Sequence, residues 1–157
     1  MNTSVLGIIS DTHGLLRPEA LDALRGCDLI LQAGDIGFLS ILDELRKIAP
    51  VFAVRGNNDY QPWARELPLR ETIEVADSLI YMLHDLHDLD LDPKAAGIGA
   101  VVTGHTHRPH EYWKDDVLYL NPGSAGPRRF DLPVTVARMD LSQRPWVPEF
   151  ITLLKTR

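Results

Sequence analysis

Residues 5–14 read VLGIISDTHG, a strand-like apolar run (residues 5–10) that leads directly into the polar group Asp11-Thr12-His13-Gly14. The same order recurs four times along the chain. The later apolar runs cover residues 29–33, 51–55, 79–83 and 99–103, and the groups that follow them are Gly34-Asp35, Gly56-Asn57-Asn58-Asp59, His84 and Gly104-His105-Thr106-His107. Because α/β sheets bind ligands where strands give way to loops, the pattern predicts one shared site at these strand ends.

The polar groups carry side chains that divalent metal ions prefer. Imidazole, carboxylate and amide oxygen, with no thiolate among them, suit ions such as Mn²⁺, Zn²⁺, Fe²⁺ or Ni²⁺. Asp11 and His13 are two residues apart, as are His105 and His107. Side chains with this spacing point to the same side of an extended segment, so we expect each pair to converge on one place.

Asp35 lies between Gly34 and Ile36-Gly37, where other backbone can approach it closely. Its two carboxylate oxygens are able to bridge two cations. Two ions held about 3.5–4 Å apart would clamp a phosphoryl group and lower the pKa of a bridging water, which supplies hydroxide as a nucleophile near neutral pH.

On these motifs the chain resembles the calcineurin-like metallophosphoesterase superfamily, and within it the small bacterial and archaeal phosphodiesterases. The segment Asn121-Pro122-Gly123-Ser124, followed by Arg128, is similar to the signature that closes this branch. The resemblance therefore covers almost the whole chain. It implies that one ion is held by Asp11, His13, Asp35 and His107, and the other by Asp35, Asn57, His84 and His105, with Asp35 shared.

The resemblance also implies a fold and an activity. The expected fold is α/β (α+β), with two mixed β-sheets packed face to face and helices on the outer faces. The expected activity is hydrolysis of phosphodiester bonds by attack of a metal-bridging hydroxide on phosphorus, with Asp35, Asn57 and His105 as the candidate catalytic residues. Mn²⁺ is the first metal to consider, followed by Ni, Fe, Zn and Co.

Two positions depart from the family pattern. Many larger relatives have Gly-Asn-His in the third motif, where the His is thought to protonate the leaving group, but this chain has Asn58 there. An amide is a poor proton donor, so water or another residue such as Asp59 would have to act instead. The fourth motif usually reads His-Gly-His, whereas this chain has His84-Asp85-Leu86-His87, and the ligand role is carried over to His84 because it directly follows a strand.

Periodicity predicts the remaining elements of a single domain, residues 1–157. The first sixty residues alternate strand and helix, with one helix over residues 18–25 that Gly26 ends and another opened by Ser40, whose spacing to Asp43 resembles a capping box. Hairpins follow around Asp77-Ser78 and Asp115-Asp116, and further strands are predicted at residues 134–139 and 150–154. Residues 85–97 are expected to form a loop with one brief helical turn.

Composition is that of an ordinary enzyme domain, with 157 residues, 45% hydrophobic and 24% charged. A net charge of −6 gives no basic footprint, so we expect a small phosphate ester as partner and no stable nucleic-acid complex. The single Cys27 and the lack of a signal-like or membrane-spanning run favour a cytoplasmic protein that does not contact membranes. An apolar edge at Phe38-Leu39 or Trp63 would allow homo-oligomers.

Two other functional classes fit part of the pattern. One is a protein-interaction scaffold like the retromer subunit of the same fold, whose signature is missing ligands; Asp11, His13, Asp35 and Asn57 are all present here. The other is a metal-storage protein, for which a shared-carboxylate pair is an elaborate design. His87 and His110 are expected to be loop or rim residues. Further phosphate donors are conceivable at four arginines, Arg17, Arg55, Arg128 and Arg129.

Overall fold

The computed structural model describes residues 3–154 and contains two five-stranded sheets that pack face to face. The strands are β1 (Val5–Ile9), β2 (Leu29–Gln32), β3 (Val51–Ala53), β4 (Arg70–Val75), β5 (Ser78–Leu83), β6 (Ile98–Val102), β7 (His110–Lys114), β8 (Val117–Asn121), β9 (Val134–Asp140) and β10 (Pro148–Leu154). The α-helices are α1 (Pro18–Leu24) and α2 (Leu39–Arg46), and short 3₁₀ helices cover Pro62–Glu66 and Leu86–Asp88. The predicted fold class, a sandwich of two mixed sheets, is confirmed.

The first sheet has the strand order β10-β9-β1-β2-β3. Its strands β1, β2 and β3 are parallel and are joined by α1 and α2, as the alternation of strand and helix predicted. β2 is buried along its whole length, which explains why its sequence is mostly apolar rather than alternating. β9 and β10 complete the sheet: β9 pairs antiparallel with β1, and β10 pairs antiparallel with β9.

Both α-helices cover the outer face of the first sheet. Leu24 of α1 and Leu42 and Leu45 of α2 are fully buried there, in a cluster with Ile30 and Val136 of the sheet. α1 begins at Pro18, whose fixed φ suits a first helical turn.

The capping box predicted at Ser40 and Asp43 is wrong. α2 begins at Leu39 with Phe38 at the N-cap and no side-chain capping bond, so Ser40 lies inside the first turn of the helix. The apolar face of α2, with Ile41, Leu42 and Leu45 buried, docks on the sheet. Tertiary packing of that face, rather than a cap, stabilises the helix.

The second sheet has the strand order β4-β5-β6-β8-β7. β5, β6 and β8 are parallel, and β4 and β7 form the antiparallel edges through tight hairpins. Asp115-Asp116 forms one hairpin turn, as predicted. The other turn was predicted one residue too late: it is Ala76-Asp77, because Ser78 pairs with Val75. All four turn residues have positive φ, as a two-residue hairpin with the twist of the strands requires.

The two outer faces are covered differently. On the second sheet Tyr81, Leu83 and Val101 pack under Leu86 and Leu89 of the β5–β6 connection, within residues 85–97 where a loop with a brief helical turn was predicted. The α-helices therefore lie on the outer face of the first sheet alone. Between the sheets, side chains such as Leu6, Leu31, Met82 and Leu118 form the central core.

Candidate metal centre

The seven predicted ligands follow the carboxyl ends of parallel strands from both sheets. Asp11 and His13 follow β1, Asp35 follows β2, and Asn57 follows β3; His84 follows β5, and His105 and His107 follow β6. Because these strand ends lie at the same end of the sandwich, side chains from distant parts of the chain meet there.

Asp11 is at the centre of the cluster. Its side chain is fully buried, and its Oδ1 lies 3.4 Å from Nε2 of His107, 3.7 Å from Nε2 of His13 and 3.8 Å from Nε2 of His84. Its Oδ2 instead accepts hydrogen bonds from Oγ of Ser10 (2.8 Å) and from the backbone N–H of His105 (3.0 Å). One carboxylate oxygen is thus held by the protein while the other faces three imidazoles.

Asp35 lies between residues of the two predicted ligand sets. Its Oδ2 is 3.6 Å from Nε2 of His13 and 3.3 Å from Nε2 of His84. Nδ1 of His84 is 2.7 Å from the carbonyl oxygen of Ala33, and the bond requires the proton to be on Nδ1. When Nε2 gives up its proton as a metal ion binds, its lone pair is directed toward the two carboxylates, the arrangement common in histidines that bind metal.

The two remaining ligands lie nearer the solvent. Nδ1 of His105 is 3.2 Å from Oδ1 of Asn57, and the ring of His105 meets that of His84 edge to face with centroids 5.3 Å apart. Nε2 of His105, on the opposite side of the ring, lies 3.6 Å from Oδ2 of Asp85. Asp85, which replaces the glycine of the usual motif, thus faces the remote nitrogen of a candidate ligand.

The unpaired polar atoms test whether these residues fit metal ions. Oδ1 of Asp11 and Nε2 of His84 are buried and have no hydrogen-bond partner within residues 3–154, although they face each other. Nε2 of His13 and Nε2 of His107 are 3.2 Å apart. Buried polar atoms without partners are costly, and cations bound among these groups would satisfy their lone pairs. Ligand atoms lie within 4.8 Å of one another in two triplets, Asp11-His13-His107 and Asp11-Asp35-His84.

The charged groups in the cluster change one another's pKa values. Burial alone would raise the pKa of Asp11, but contacts with His107 and His13 outweigh burial and hold that pKa well below its usual range. Burial is likewise outweighed at Asp35, where His84 lowers the carboxyl pKa. At His84, burial would lower the pKa, but Asp35 and Asp11 raise it to about 9. The carboxylates are therefore ionised at neutral pH, which a cation site requires.

The backbone of the site differs from the extended conformation that the i, i+2 spacing suggested. Asp11, His13, His105 and His107 all have left-handed φ values, between 46° and 75°, and Asp35 has φ of 54°. Such values are uncommon outside glycine and cluster at functional sites. The pairs do converge, but through tight left-handed turns rather than along extended strands.

Asn58 and Asp59 of the third motif support the site through contacts that the sequence did not predict. Asn58 donates from its backbone N–H to Oδ1 of Asp35 (2.9 Å) and from Nδ2 to Oδ2 (3.0 Å), which fixes that carboxylate. The buried Asp59 accepts from the backbone N–H groups of Ile36, Gly37 and Gly56. Asp59 therefore holds two loops together, and the suggestion that it acts as a proton donor is not supported by its position.

The segment from Asn121 to Ser124 braces the same loops. Nδ2 of Asn121 donates to the carbonyl oxygen of Gly104 (2.8 Å) and to Oγ1 of Thr106 (3.1 Å), and Oγ of Ser124 donates to the carbonyl oxygen of Asp11 (3.0 Å). The segment thus links both ligand loops, 11–13 and 105–107.

The additional arginines and histidines are placed differently from one another. Arg17 donates to the carbonyl oxygen of Gly126, and Arg129 is exposed. Arg55 lines a cavity of about 400 Å³ together with the candidate ligands Asn57 and His84. His87 is 93% exposed and pairs with Asp85, as expected of a loop histidine. Of these arginines, Arg55 is the one that shares a cavity with candidate ligands.

The motifs agree with a comparison against known families. Residues 5–144 match the model of the calcineurin-like phosphoesterase superfamily domain. The chain belongs to this superfamily. It is 38% identical over 135 residues to a probable metallophosphoesterase of Methanocaldococcus jannaschii, a match that covers 78% of this chain and 68% of that protein.

Solved structures agree on the fold. An archaeal phosphodiesterase superposes with a TM-score of 0.79 at 23% identity, covering 94% of this chain and 99% of that one. Vps29 of Chaetomium thermophilum superposes with a TM-score of 0.76 at 19% identity, covering 97% of each chain. Within residues 3–154, no helix is long and apolar enough to cross a membrane.

Proposed function

We propose that this chain is a single-domain phosphoesterase, residues 1–157, which binds two divalent metal ions and hydrolyses phosphodiester bonds. The observation that carries the proposal is the convergence of seven side chains, among which the buried Oδ1 of Asp11 and Nε2 of His84 face each other without a hydrogen-bond partner in residues 3–154. Membership of a phosphoesterase superfamily supplies the reaction class.

The first ion is assigned to Asp11, His13, Asp35 and His107, and the second to Asp35, Asn57, His84 and His105. The short distance between Nε2 of His13 and Nε2 of His107 supports the first set. The contact of Nδ1 of His105 with Oδ1 of Asn57 supports the second. Asp35 is assigned as the bridge because its Oδ2 lies between His13 and His84, which belong to different sets. Asp11 also approaches His84, so the two sets are close neighbours.

Bound ions would polarise the phosphoryl oxygens and lower the pKa of a shared water, so that hydroxide attacks phosphorus. The protein's contribution is to fix the ligands. The carbonyl of Ala33 orients His84, Asn58 orients Asp35, and Ser10 holds Oδ2 of Asp11 so that Oδ1 faces the site. Such outer contacts set both the geometry and the basicity of the ligands.

The resemblance to the superfamily suggests Mn²⁺ as the first metal to test, with Ni, Fe, Zn and Co as further candidates. Imidazole and carboxylate accept all of these ions, and availability decides between them when the geometry does not. We therefore propose manganese as the metal that supports catalysis, while the ligand types also suit the other ions.

Two cavities beside the centre support a diester rather than a monoester. One, of about 400 Å³, is lined by Asn57 and His84; the other, of about 270 Å³, is lined by Gly104 and Thr106, the neighbours of His105. A phosphodiester carries two organic groups on phosphorus, and each cavity would receive one. Asn58, in place of a proton-donating histidine, favours substrates whose leaving groups depart without protonation.

The expected setting follows from the same features. We propose a small phosphate ester as substrate, a cytoplasmic location, and no stable complex with nucleic acid or membrane. The net charge of −6 supports the exclusion of nucleic acid. Phe38, which is 60% exposed, and Leu39 offer a contact for homo-oligomers.

The alternative is a catalytically weak metal-binding scaffold, and the likeness to Vps29 concerns the fold alone. Such a scaffold is expected to lack ligand residues, but this chain contains all seven predicted ligands. Metal storage without catalysis is less favoured because the site is flanked by two cavities.

A hydrolysis assay separates these functions. Protein stripped with a chelator is given bis(p-nitrophenyl) phosphate or p-nitrophenyl phosphate before and after addition of Mn²⁺. We expect turnover only after Mn²⁺ is added, and faster turnover of the diester. Tight metal binding without turnover of either compound would instead favour the scaffold, and faster turnover of the monoester would contradict the diester preference.

A further inference from the structure

The second cavity beside the candidate centre has an aromatic wall. It has a volume of about 270 Å³, and Tyr112 and Tyr119 line it on the outer face of the second sheet. Their rings are nearly parallel, with an interplanar angle of 9° and centroids 4.9 Å apart. The ring of His110, two residues before Tyr112, is 5.3 Å from that of Tyr112. Three aromatic rings therefore form one side of this space.

Strand register explains why these rings share a face. Tyr112 of β7 pairs with Tyr119 of β8, and His110 pairs with Asn121. Alternate residues of a strand point to the same side, so His110 and Tyr112 lie together, whereas Trp113 points to the opposite face. Trp113 does not line the cavity, although it is 48% exposed.

The opposite side of the cavity is polar and adjoins the candidate centre. Thr106 lies between the ligands His105 and His107, and Asp85 faces the remote nitrogen of His105. Arg108 also lines the cavity, and within residues 3–154 its guanidinium makes no hydrogen bond or ion pair. A group bound here would meet aromatic side chains on one side and hydrogen-bonding groups on the other.

The aromatic and polar linings indicate which kind of ligand this cavity binds. A flat aromatic ring stacks on tyrosine and histidine faces, and a ring whose edge carries donors and acceptors also uses Arg108, Thr106 and Asp85. A volume of about 270 Å³ is close to the lower end for small-molecule pockets, so it suits one ring system and not a larger ligand. We propose that this cavity binds the nucleobase of a nucleoside phosphoester, an inference that rests on the proposed function of the adjacent centre.

Affinities of matched phosphates test the assignment on Mn²⁺-loaded protein by calorimetry. Adenosine 5′-monophosphate, ribose 5-phosphate and phenyl phosphate share the phosphate and differ in the base. We expect the adenosine compound to bind about ten-fold more tightly than the other two, within the range measured for stacking of a base on an aromatic side chain. Equal affinities of the adenosine and ribose compounds, or of the adenosine and phenyl compounds, would overturn the nucleobase assignment.

Two neighbouring substitutions on one strand provide the control. Tyr112→Ala should weaken binding of adenosine 5′-monophosphate about ten-fold and leave that of ribose 5-phosphate unchanged. Trp113→Ala removes a larger exposed ring from the same edge strand and should change neither affinity. Equal losses for both phosphates in Tyr112→Ala, or equal effects of the two substitutions, would indicate a structural role and contradict the proposal.

Hydrolysis of bis(p-nitrophenyl) phosphate by the same samples distinguishes failure of the phosphoesterase proposal from failure of the base-binding proposal. Absence of turnover alongside a preserved preference for the adenosine compound would remove the phosphoesterase proposal and leave the base-binding cavity in place. Turnover without that preference would remove only the base-binding cavity.

Discussion

At the scale of single residues, the convergence of the candidate ligands could be predicted from the sequence, but the residues that support them could not. Asp11, His13, Asp35 and His107 stand out because each follows an apolar run at a fixed place in a motif. Asn58 does not, because its role is a contact with Asp35, which lies 23 positions earlier in the chain. From sequence it is simply the residue that replaces a histidine.

Asn58→Ala tests that supporting role. Loss of the Nδ2 hydrogen bond to Oδ2 of Asp35 should lower the affinity for Mn²⁺ by about ten-fold, the lower end of the effect of losing an outer-shell contact. Titration calorimetry measures this directly. Gln143→Ala removes an exposed side chain in the β9–β10 turn and should leave affinity unchanged; an Asn58→Ala affinity equal to that control would show that Asn58 does not orient Asp35.

At the scale of elements, the strands and helices follow from apolar periodicity, whereas the ligand loops follow from contacts between them. Spacing of two residues predicted extended pairs, yet Asp11, His13, His105 and His107 adopt left-handed turns. Hydrogen bonds from Asn121 and Ser124, at and after the end of β8, hold these turns. Asp59 joins two further loops, those that carry Asp35 and Asn57, by accepting hydrogen bonds from the backbone N–H groups of Ile36 and Gly56. Local sequence carries no record of such long-range bonds.

Alanine substitutions at two glycines with positive φ test how much the close packing between ligand loops contributes to the free energy of unfolding. Gly37 has φ of +101°, and a Cβ there would overlap the backbone of Gly14 in the neighbouring loop. Gly97 has φ of +75°, but a Cβ there meets no atom within 4 Å. Gly97→Ala should lower the free energy of unfolding by about 1–2 kcal/mol, the cost of a left-handed alanine.

Gly37→Ala should lower the free energy of unfolding further, by about 2 kcal/mol or more beyond Gly97→Ala, because the loops must also separate. It should also weaken metal binding, which Gly97→Ala should not. Urea unfolding and calorimetry measure the two effects. Equal free energies of unfolding for the two variants would show that the loops do not need their close approach.

At the scale of the whole molecule, the two sheets bring opposite charges to one end of the sandwich. The sandwich could be predicted from strand alternation and family resemblance, but the cover of the second sheet could not. There the β5–β6 connection packs through Leu86 and Leu89 instead of an α-helix. Apolar residues at irregular spacing in a connection give no periodic signal, so only the folded chain reveals their contact with the sheet.

The charge cluster predicts how the stability of the metal-free protein depends on pH. His84 has a folded pKa of about 9, above its ordinary 6.5, because Asp35 and Asp11 favour its charged form over the opposing effect of burial. Its stabilising contribution is therefore fully present below pH 6.5 and is lost as pH rises through 9. Urea midpoints of the metal-free protein should fall across this range.

His84→Gln provides the control for that pH dependence. It has no titrating group at this position, so its urea midpoint should change less between pH 6.5 and 9. Mn²⁺ should reverse the trend in the wild-type protein, because the ion displaces the proton and binds more tightly as pH rises. A metal-free wild-type midpoint that changes no more than that of His84→Gln would contradict the assigned charge pairing.

Asp35→Asn provides the most direct test of the central claim that a shared carboxylate organises two metal ions for phosphodiester hydrolysis. The measurement is the number of Mn²⁺ ions bound per chain together with turnover of bis(p-nitrophenyl) phosphate, in the wild-type protein and the variant. We predict two ions and metal-dependent turnover for the wild type, and weakened binding at both sites with no turnover for Asp35→Asn, which remains folded by circular dichroism. Wild-type turnover rates in Asp35→Asn, or turnover that persists after all metal has been removed, would contradict the claim.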